Sequence, residues 1–353
     1  MKLTHTGTQE IETERLRLRR FVMEDVNMVF LEWANSEAVT KYLTWERHKS
    51  LGETRTWLLS TIASYEQEGI YSWGIELKET SGLIGSIGVG IKSEHSRVAN
   101  VGYCLGERFW GSGYMTEALR AVIDYMLYDV NVNRIEAYHS VNNPASGKVM
   151  QKAGMLKEGC SRQNYLTGDE YQDSDLYALV QDDFDRRYVP ENRNFFELDD
   201  KDISKHNVRL LCHEYYPGNT AKKYVPSYKF NITEKNSGTI LGGIDLRLGF
   251  TEGLYYGGHI GYSVKEEFRN MGVATIACKI VLQVAKAHGY KRVIITNTPS
   301  NRASVRVCEK VGAKLIRVAK LPLWNEMYKE GDRYKNIYEV NLAVDLVNNS
   351  GDI

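Results

Sequence analysis

An internal repeat is the feature that most constrains how this 353-residue chain can fold. The segment 143–154, NPASGKVMQKAG, recurs as 301–312, NRASVRVCEKVG, with Asn, Ala, Ser, Val, Lys and Gly kept in register. A repeat of such a long period, present twice, indicates duplicated domains and not a short-period solenoid. Further matches keep the same order along the chain: Val101-Gly102-Tyr103 with Ile260-Gly261-Tyr262, 108–113 with 269–274, and Gly168-Asp169 with Gly331-Asp332.

The length of the chain supports the same division, because a single hydrophobic core rarely organises more than about 250–300 residues. We predict a first domain over residues 1–185 and a second over 194–353, joined by a polar linker that contains Pro190. The 45 basic and 45 acidic side chains balance, which argues against nonspecific binding to nucleic acid or to anionic lipid.

No apolar run approaches the roughly 20 residues that cross a bilayer, so we expect no membrane segment. The polar N-terminus lacks the apolar core of a secretory signal, and we therefore expect a cytoplasmic protein. The five cysteines lie singly, without a C-x-x-C pair or the histidine spacing of a zinc site. We expect reduced, mostly buried thiols and no bound metal.

Hydrophobic periodicity predicts an α/β chain with similar elements in each copy. In the first copy the predicted strands are 15–19, 71–77, 83–89, 100–105 and 135–139. The predicted helices of that copy are 24–35, 54–66, a helix from the glycine-rich segment to about 129, and 145–153, which ends at Gly154. The second copy repeats the hairpin over 234–238, the strand 259–264 and the helix 274–288, but its front is shorter, with one strand candidate and at most one helix near 202–213.

A glycine-rich segment, 108–114, follows a predicted strand and opens a predicted helix. That arrangement exposes backbone N–H groups at the positive end of the helix, where phosphate binds well. Gly111 and Gly113 would let a pyrophosphate approach the backbone without meeting a Cβ atom. The segment 269–274 repeats the pattern with Ala274 in place of the last glycine, although a single R-x-x-G-x-G/A match also fits an ordinary glycine-capped turn.

Together these motifs resemble the GNAT superfamily of acetyltransferases, whose pyrophosphate loop reads Q/R-x-x-G-x-G/A. Residues 12–184 resemble the RimJ/RimL branch, through the stretches 13–19, 73–75, 83–86 and 109–118, and the remainder resembles a less characterised GNAT branch. The resemblance implies two tandem α/β (α+β) folds, each with a mixed, mostly antiparallel, splayed sheet and flanking helices. It also implies that the first helices wall the acceptor site, and that acetyl-CoA donates an acetyl group to a primary amine of a protein N-terminus or a small molecule.

By the same resemblance, the pantetheine arm lies between the strand ending near Leu105 and the strand starting near Ile135, and between Val264 and Val293 in the second copy. The expected cofactor residues are Leu105, Arg108, Phe109, Trp110, Gly111, Ser112, Gly113, Tyr114 and Asn143 in the first copy, and Val264, Arg269, Asn270, Met271, Gly272, Val273, Ala274 and Asn301 in the second. Ser146 and Ser304 are expected near the departing sulfur. Asn and Ser at a helix start are also what an N-cap requires, and that alternative stays open.

Many GNAT enzymes protonate the leaving thiolate with a tyrosine, but the matching positions here are Met150 and Cys308. Ser146, Ser304 or an ordered water would have to substitute. At the usual position of the base the chain has Asn100, which cannot accept the proton, and His259, which titrates near neutrality but could equally be a structural hydrogen bonder. Acceptor-pocket candidates of the first copy are Tyr165, Glu170 and Asp173.

Two functional interpretations remain. In the first, the chain is a monomeric or homodimeric enzyme with at least one working acetyltransferase site. The first copy is the stronger candidate because its fold elements are complete, and the second copy could also work. In the alternative, one catalytic copy is joined to a non-catalytic copy that binds acyl-CoA or shapes the acceptor pocket, as the short front of the second copy would favour.

Overall fold

The structure, a computed structural model, describes residues 2–167, 170–199 and 203–343. The chain divides into two compact units, residues 1–181 and 182–353, which are described separately. The repeat match at Gly168-Asp169 and the start of the helix predicted near 202 lie outside the described residues, as does the side chain of Tyr165.

One sheet runs through the whole first unit, in the strand order β1-β2-β3-β4-β5-β6-β8-β7. Every pairing is antiparallel except that of β5 with β6, which is parallel and limited to 98–100 against 134–136. Beyond those residues the two strands separate, so the sheet is mixed and splayed as predicted. The strands are β1 Ile11–Glu12, β2 Leu16–Arg19, β3 Tyr71–Leu77, β4 Gly82–Ser93, β5 Val98–Leu105, β6 Arg134–Ser140, β7 Leu156–Thr167 and β8 Glu170–Val180.

Helices cover both faces of this sheet. A front group packs Phe21, Val29, Trp33 and Leu58 against Leu83 of β4 and Cys104 of β5. The predicted helix 24–35 is instead a succession of short turns: 3₁₀ Met23–Asp25, α1 Val26–Val29 and a π-type turn Phe30–Ala34. The other helices are α2 Glu37–Thr40 and α3 Leu51–Ser64 in the front group, and α4 Tyr114–Tyr128 and α5 Pro144–Ala153 on the opposite face.

The second unit forms two antiparallel sheets, ordered β13-β12-β11-β10-β9 and β14-β16-β15, around one apolar core. The separation between β5 and β6 therefore has a wider counterpart between β13 and β14. The helix α6 Gln181–Arg186 begins at the last residue of the first unit. The further elements are β9 Ser204–Lys205, β10 Val208–Tyr216, β11 Ser227–Glu234, β12 Ile240–Arg247, α7 Glu252–Gly257, β13 Ile260–Val264, α8 Val273–Ala287, β14 Arg292–Asn297, α9 Arg302–Lys310, β15 Lys314–Lys320, α10 Glu326–Lys329 and β16 Tyr334–Asn341.

The helix predicted near 202–213 is wrong, because the described part of that segment is extended. Val208 and Leu210 are buried on one side of β10, while Arg209 and Leu211 point to the other, and this is the period of a strand. The whole strand pairs with β11 through a bulge between Cys212 and Glu214, which interrupts the alternation that would otherwise have identified it.

The predicted linker around 185–194 packs with the second unit. The carbonyl of Tyr188 lies 3.1 Å from Nε2 of His259, and the carbonyl of Asn192 lies 2.8 Å from Nδ1 of His288. The division at residues 181 and 182 reflects these contacts, and independent folding of two domains stays a prediction. All five cysteines are unpaired thiols, and Cys104, Cys278 and Cys308 are buried.

Candidate active site

The glycine-rich loop of the first unit begins where β5 ends at Leu105. A 3₁₀ turn, Glu107–Phe109, leads to Gly111 and Gly113, whose φ angles are +77° and +79°, and α4 starts at Tyr114. Those angles are strained for residues with a Cβ atom, so both positions favour glycine. No atom lies within 4 Å of where a Cβ of Gly111 would be. The loop therefore has open space beside Gly111, just ahead of the free N–H groups of α4, which suits a pyrophosphate.

The loop of the second unit has the same backbone course. After the 3₁₀ turn Glu266–Phe268, Asn270 and Gly272 have φ angles of +62° and +76°, and α8 starts at Val273. Gly272 therefore corresponds to Gly113, whereas the sequence comparison had matched it to Gly111. Asparagine is the residue that best replaces glycine at a positive φ angle, which explains Asn270.

Side-chain contacts confirm this corrected register. Nε1 of Trp110 donates to the carbonyl oxygen of Leu105 at 2.7 Å, and Nε of Arg269 donates to that of Val264 at 3.4 Å. Trp110, and not Arg108, is thus the counterpart of Arg269. The sequence-based alignment was wrong because it matched the arginine letters instead of the residues with positive φ angles.

Arg108 and Phe109 lie beside the loop and not within it. The Arg108 guanidinium forms a two-pronged ion pair with Glu32 of the front group, with Nε to Oε2 at 2.8 Å, and also stacks over the Phe109 ring. This pair ties the loop to the front group, so the guanidinium is already committed to a carboxylate. The structure therefore argues against Arg108 as a pyrophosphate ligand.

A brace beneath the first loop was not predicted. Nη1 of Arg15 donates to the carbonyl of Ser112 at 3.0 Å, and its guanidinium lies over the Tyr114 ring. Glu117 in the first turn of α4 accepts from Nε of Arg15 at 2.7 Å and from Oγ1 of Thr13 at 2.6 Å. The signal was present in the sequence, because the stretch 13–19 carried the RimJ/RimL resemblance without a role being assigned to it.

The remaining loop residues of the second unit contribute in different ways. Met271 is largely exposed beside the glycine, whereas Val273 is buried in the core, so only its backbone N–H is available to a phosphate. Ala274 follows in the first turn of α8, where a small side chain leaves the helix end accessible.

A hydrogen-bonded Tyr–Ser pair crosses from strand to helix at the same place in both units. The Tyr103 hydroxyl on β5 lies 3.1 Å from Oγ of Ser146 on α5, and the Tyr262 hydroxyl on β13 lies 2.8 Å from Oγ of Ser304 on α9. Burial raises the pKa of both tyrosines above the ordinary phenol value, so both are protonated at neutral pH. These tyrosines match each other in the sequence repeat, but they were not predicted as site residues.

Asn143 and Asn301 are the N-caps of α5 and α9. Their Oδ1 atoms accept from the backbone N–H of Ser146 at 3.4 Å and of Ser304 at 3.1 Å. The structural alternative raised for these residues therefore holds in both units. Because the cap uses only Oδ1, the side-chain NH₂ groups are the atoms that would donate to a pantetheine carbonyl.

The positions of the missing tyrosine acid are both in the core. Met150 is buried, and Cys308 is fully buried with its Sγ 3.4 Å from Nδ2 of Asn297. Burial raises the pKa of the Cys308 thiol to about 12. Tyr103 and Tyr262 instead extend from strands β5 and β13 to helices α5 and α9. Each unit therefore has a phenol beside this helix, but the phenol comes from a strand residue and not from the helix.

His259 occupies a structural position. Its side chain is 0% exposed, Nδ1 accepts from the N–H of Ile294 at 2.9 Å, and Nε2 donates to the Tyr188 carbonyl at 3.1 Å. With the bond from its own N–H to the Ile294 carbonyl, 2.8 Å long, it joins β13 to β14 where the two sheets meet. Burial lowers its pKa to about 4, so the ring is neutral at neutral pH and carries its single proton on Nε2. These contacts argue against the base role, because no amine can reach the ring.

The other predicted acceptor-side residues are dispersed. Asn100 pairs with Glu136 where β5 and β6 are still joined, and Glu170 is exposed. Asp173 accepts from the backbone N–H of Gln163 at 2.9 Å, within the irregular stretch of β7 between Ser161 and Tyr165. A pocket of about 230 Å³ lies on the other side of α5 from Ser146, lined by His139, Val141, Pro144, Gly147, Lys148, Gln151, Asp175 and Tyr177.

Within the described residues, no helix combines the length and apolar character needed to span a membrane. The same part of the chain contains no group of three His, Cys, Asp or Glu side chains arranged for a metal ion.

Comparison with known proteins agrees with the paired geometry. The family profile described as Acetyltransferase (GNAT) domain matches residues 15–156 and again 169–314. The uncharacterized N-acetyltransferase YoaA of Bacillus subtilis is 32% identical over 171 residues, which are 48% of this chain and 96% of that protein. The ribosomal-protein-serine acetyltransferase of Escherichia coli is 33% identical over 100 residues, covering 28% of this chain and 56% of that protein.

Among solved structures, RimL, a ribosomal L7/L12 alpha-N-protein acetyltransferase in complex with coenzyme A, is 23% identical, with a TM-score of 0.46 over 50% of this chain and 99% of that one. The family profile alone covers most of the sequence. The chain therefore belongs to the GNAT family of acetyltransferases, enzymes that use acetyl-CoA, and it carries the family's domain twice.

Proposed function

We propose that each unit binds one acetyl-CoA and that the chain transfers the acetyl group to a primary amine by direct attack in a ternary complex. The observation that carries the proposal is the repeated arrangement of a positive-φ loop at a helix start beside a Tyr–Ser pair. A single such loop fits an ordinary turn, but the same loop and the same hydroxyl pair at matched positions of two units fit a common cofactor.

The residues would act as follows. The helix starts at Tyr114 and Val273 offer backbone N–H groups to the pyrophosphate, and the amides of Asn143 and Asn301 offer donors to the pantetheine arm. Acetyl-CoA supplies an activated thioester. The Ser146 hydroxyl, itself hydrogen-bonded to the protonated Tyr103, donates a proton to the leaving sulfur, and Ser304 with Tyr262 does the same in the second unit.

For the first unit we propose a protein or peptide N-terminus as acceptor. The support is the E. coli relative, whose name states that it acts on a ribosomal protein serine. A small-molecule amine is the competing acceptor, since a fold of this kind does not by itself select a substrate. The front group, which packs on the sheet face away from α4, would wall this acceptor site.

The second candidate function is a catalytic first unit with a second unit that binds acyl-CoA without turnover. Two observations favour it. The described part of the second unit has no helices corresponding to α1–α3, and Ile276 stands where Glu117 forms the brace in the first unit. The intact loop and the Tyr262–Ser304 pair favour two working sites instead.

The number of acetyl-CoA molecules bound per chain tests whether the two loops are cofactor sites. Isothermal titration of acetyl-CoA is expected to give two sites in the wild type and one in each of Gly113→Glu and Gly272→Glu, because a carboxylate at a strained position repels the pyrophosphate. Gly238→Glu is the matched control, since Gly238 also has a positive φ angle, +72°, and open space around it but lies in a hairpin turn. Two sites in every variant would overturn the loop assignment.

Thiol release from acetyl-CoA, measured against an alanine-initiated peptide, a serine-initiated peptide, spermidine, an aminoglycoside and free amino acids, tests the activity. Tyr103→Phe and Ser146→Ala, each made in Gly272→Glu, are expected to lower kcat by about 10²-fold or more, as for loss of a general acid. Tyr138→Phe is the control, because that hydroxyl on β6 contacts Lys92 instead. An unchanged kcat in Tyr103→Phe and Ser146→Ala would remove the pair from the mechanism.

A further inference from the structure

The five-stranded sheet of the second unit carries a carboxylate on its face away from α8 and α9. Asp245 of β12 lies directly opposite Gly261 of β13, so the two residues share a face of the sheet. The next residue, Tyr262, points to the other face, where it meets Ser304 of α9. The face that carries Asp245 in the second unit corresponds to the face on which the front group packs in the first unit.

The Asp245 carboxylate extends over β13 because Gly261 has no side chain. A Cβ atom at Gly261 would lie 2.6 Å from Oδ1 of Asp245, closer than real contacts allow. The strand β13 borders the gap between the two sheets, where the thioester is proposed to lie. Oδ1 of Asp245 is therefore placed beside the gap, on the side opposite the Tyr262–Ser304 pair.

One oxygen of this carboxylate is fixed by an anchored cation. Oδ2 of Asp245 lies 2.9 Å from Nε of Arg247, and Nη1 of Arg247 donates to the carbonyls of Gly257 at 2.9 Å and Gly258 at 2.8 Å. Because these two carbonyls hold the Arg247 guanidinium in place, Arg247 fixes the orientation of the Asp245 carboxylate. The Asp245 side chain remains 27% exposed, so a ligand can reach the other oxygen.

The protonation properties of Asp245 suit an acid–base group. Burial raises its pKa above the ordinary carboxyl value, although the charges of Arg247 and Lys229 and a hydrogen bond from the Gly261 backbone act in the opposite direction. The first unit has no carboxylate here, because Gly88 faces Gly102 at the corresponding pair. A carboxylate at this pair is therefore particular to the second unit, and its strand β12 pairs with β13, which begins directly after the buried His259.

We propose that Asp245 binds the ammonium group of the acceptor in the second unit and accepts its first proton, an inference that rests on the proposed function. The ammonium N–H proton passes to Asp245 and then to solvent, leaving a neutral amine. The amine nitrogen bonds to the acetyl carbon, the carbon–sulfur bond breaks, and the second nitrogen proton replaces the one that Ser304 gives to the sulfur. The overall reaction releases an amide, a thiol and one proton.

The test isolates the second unit by placing every variant in Gly113→Glu. The acceptor probe is the member of the five-amine panel that gives the fastest thiol release in that background. Asp245→Asn keeps the shape of the side chain and is expected to lower kcat/KM by about 10²-fold. It should also abolish the fall of kcat/KM at acid pH, and the acetyl-CoA affinity should stay within about threefold, because Asp245 does not contact the cofactor loop.

Two further variants make the result specific. Glu214→Gln is the control, since Glu214 shares the face of Asp245, is paired with Lys229 at 2.8 Å and lies three strands from Gly261. It should retain full activity. Gly261→Ala should reproduce the loss seen in Asp245→Asn, because the added Cβ displaces Oδ1.

Each outcome is decisive. Equal kcat/KM and equal pH profiles for Asp245→Asn and its parent would overturn the role of Asp245 while the proposed function stands. A Gly113→Glu parent that binds one acetyl-CoA but acetylates no amine of the panel would overturn both this inference and turnover by the second unit. That last result would leave the first unit as the catalytic site.

Discussion

Protonation of His259 should destabilise the second unit in acid, and the effect can be calculated from its surroundings. Its pKa falls from 6.5 in the unfolded chain to about 4 in the folded unit, because the ring is fully buried. Between those values the unfolded state holds more protons, so the free energy of unfolding decreases as the pH is lowered. At about 1.36 kcal/mol per pKa unit, the loss between pH 7 and pH 4 is about 3 kcal/mol.

The assay compares the pH dependence of the wild type with that of His259→Gln, which cannot titrate. Urea unfolding would be followed by hydrogen exchange of peptides containing Ile294, whose N–H donates to Nδ1 of His259. His259→Gln is expected to be less stable than the wild type at neutral pH. Between pH 7 and pH 4, however, its free energy of unfolding should fall by about 3 kcal/mol less than that of the wild type. His213→Gln, at an exposed histidine of the same unit, should follow the wild type. Parallel profiles for His259→Gln and the wild type would refute the reasoning.

Two further predictions concern the first unit. Gly147→Ala should cost about 1–3 kcal/mol of stability in urea unfolding, because its Cβ would lie 2.6 Å from Nε2 of His139. In His139→Ala the same change should be neutral or stabilising, since alanine favours a helix, and an equal cost in both backgrounds would contradict the contact. Glu117→Gln should weaken acetyl-CoA binding to this unit by about 3–10-fold in calorimetry, because the brace through Thr13 and Arg15 loosens. An unchanged affinity would show that the brace does not support cofactor binding.

Elements with clear local signals could be predicted from the sequence. The strand 71–77 and the helix ending at Gly154 agree with the structure, because periodic apolar residues and a positive-φ glycine mark them. The helix predicted over 54–66 begins earlier, at Leu51, because Ser50 accepts from the N–H of Glu53 and caps it there. Capping of this kind depends on one hydroxyl, which periodicity cannot detect.

The candidate site was predicted only in part, because some of its properties arise from tertiary contacts. The loops and the two helix starts follow from the repeat. The environment of His259 could not be predicted in this way, because its ring is buried by contacts with Tyr188 and Ile294, which are distant in sequence. The Tyr–Ser pairs were equally hidden, because Tyr103 and Ser146 lie on different elements that the sequence alone does not bring together.

The residues next to the gap differ between the two units, and they differ in pairs. His139 lies opposite Asp175 in the first unit, where the second has Asn297 opposite Asn336.

The helix beside them changes with them. Gly147 makes room for the imidazole in the first unit, whereas Val305 stands at that helical position in the second. Each unit has therefore kept its own packing while its core residues diverged. The positive-φ loop, the capping asparagine and the Tyr–Ser pair have not diverged in the same way, as expected if both gaps hold the same cofactor. By contrast, among the described residues the front group occurs only in the first unit, and the position of Asp245 is occupied by Gly88 there.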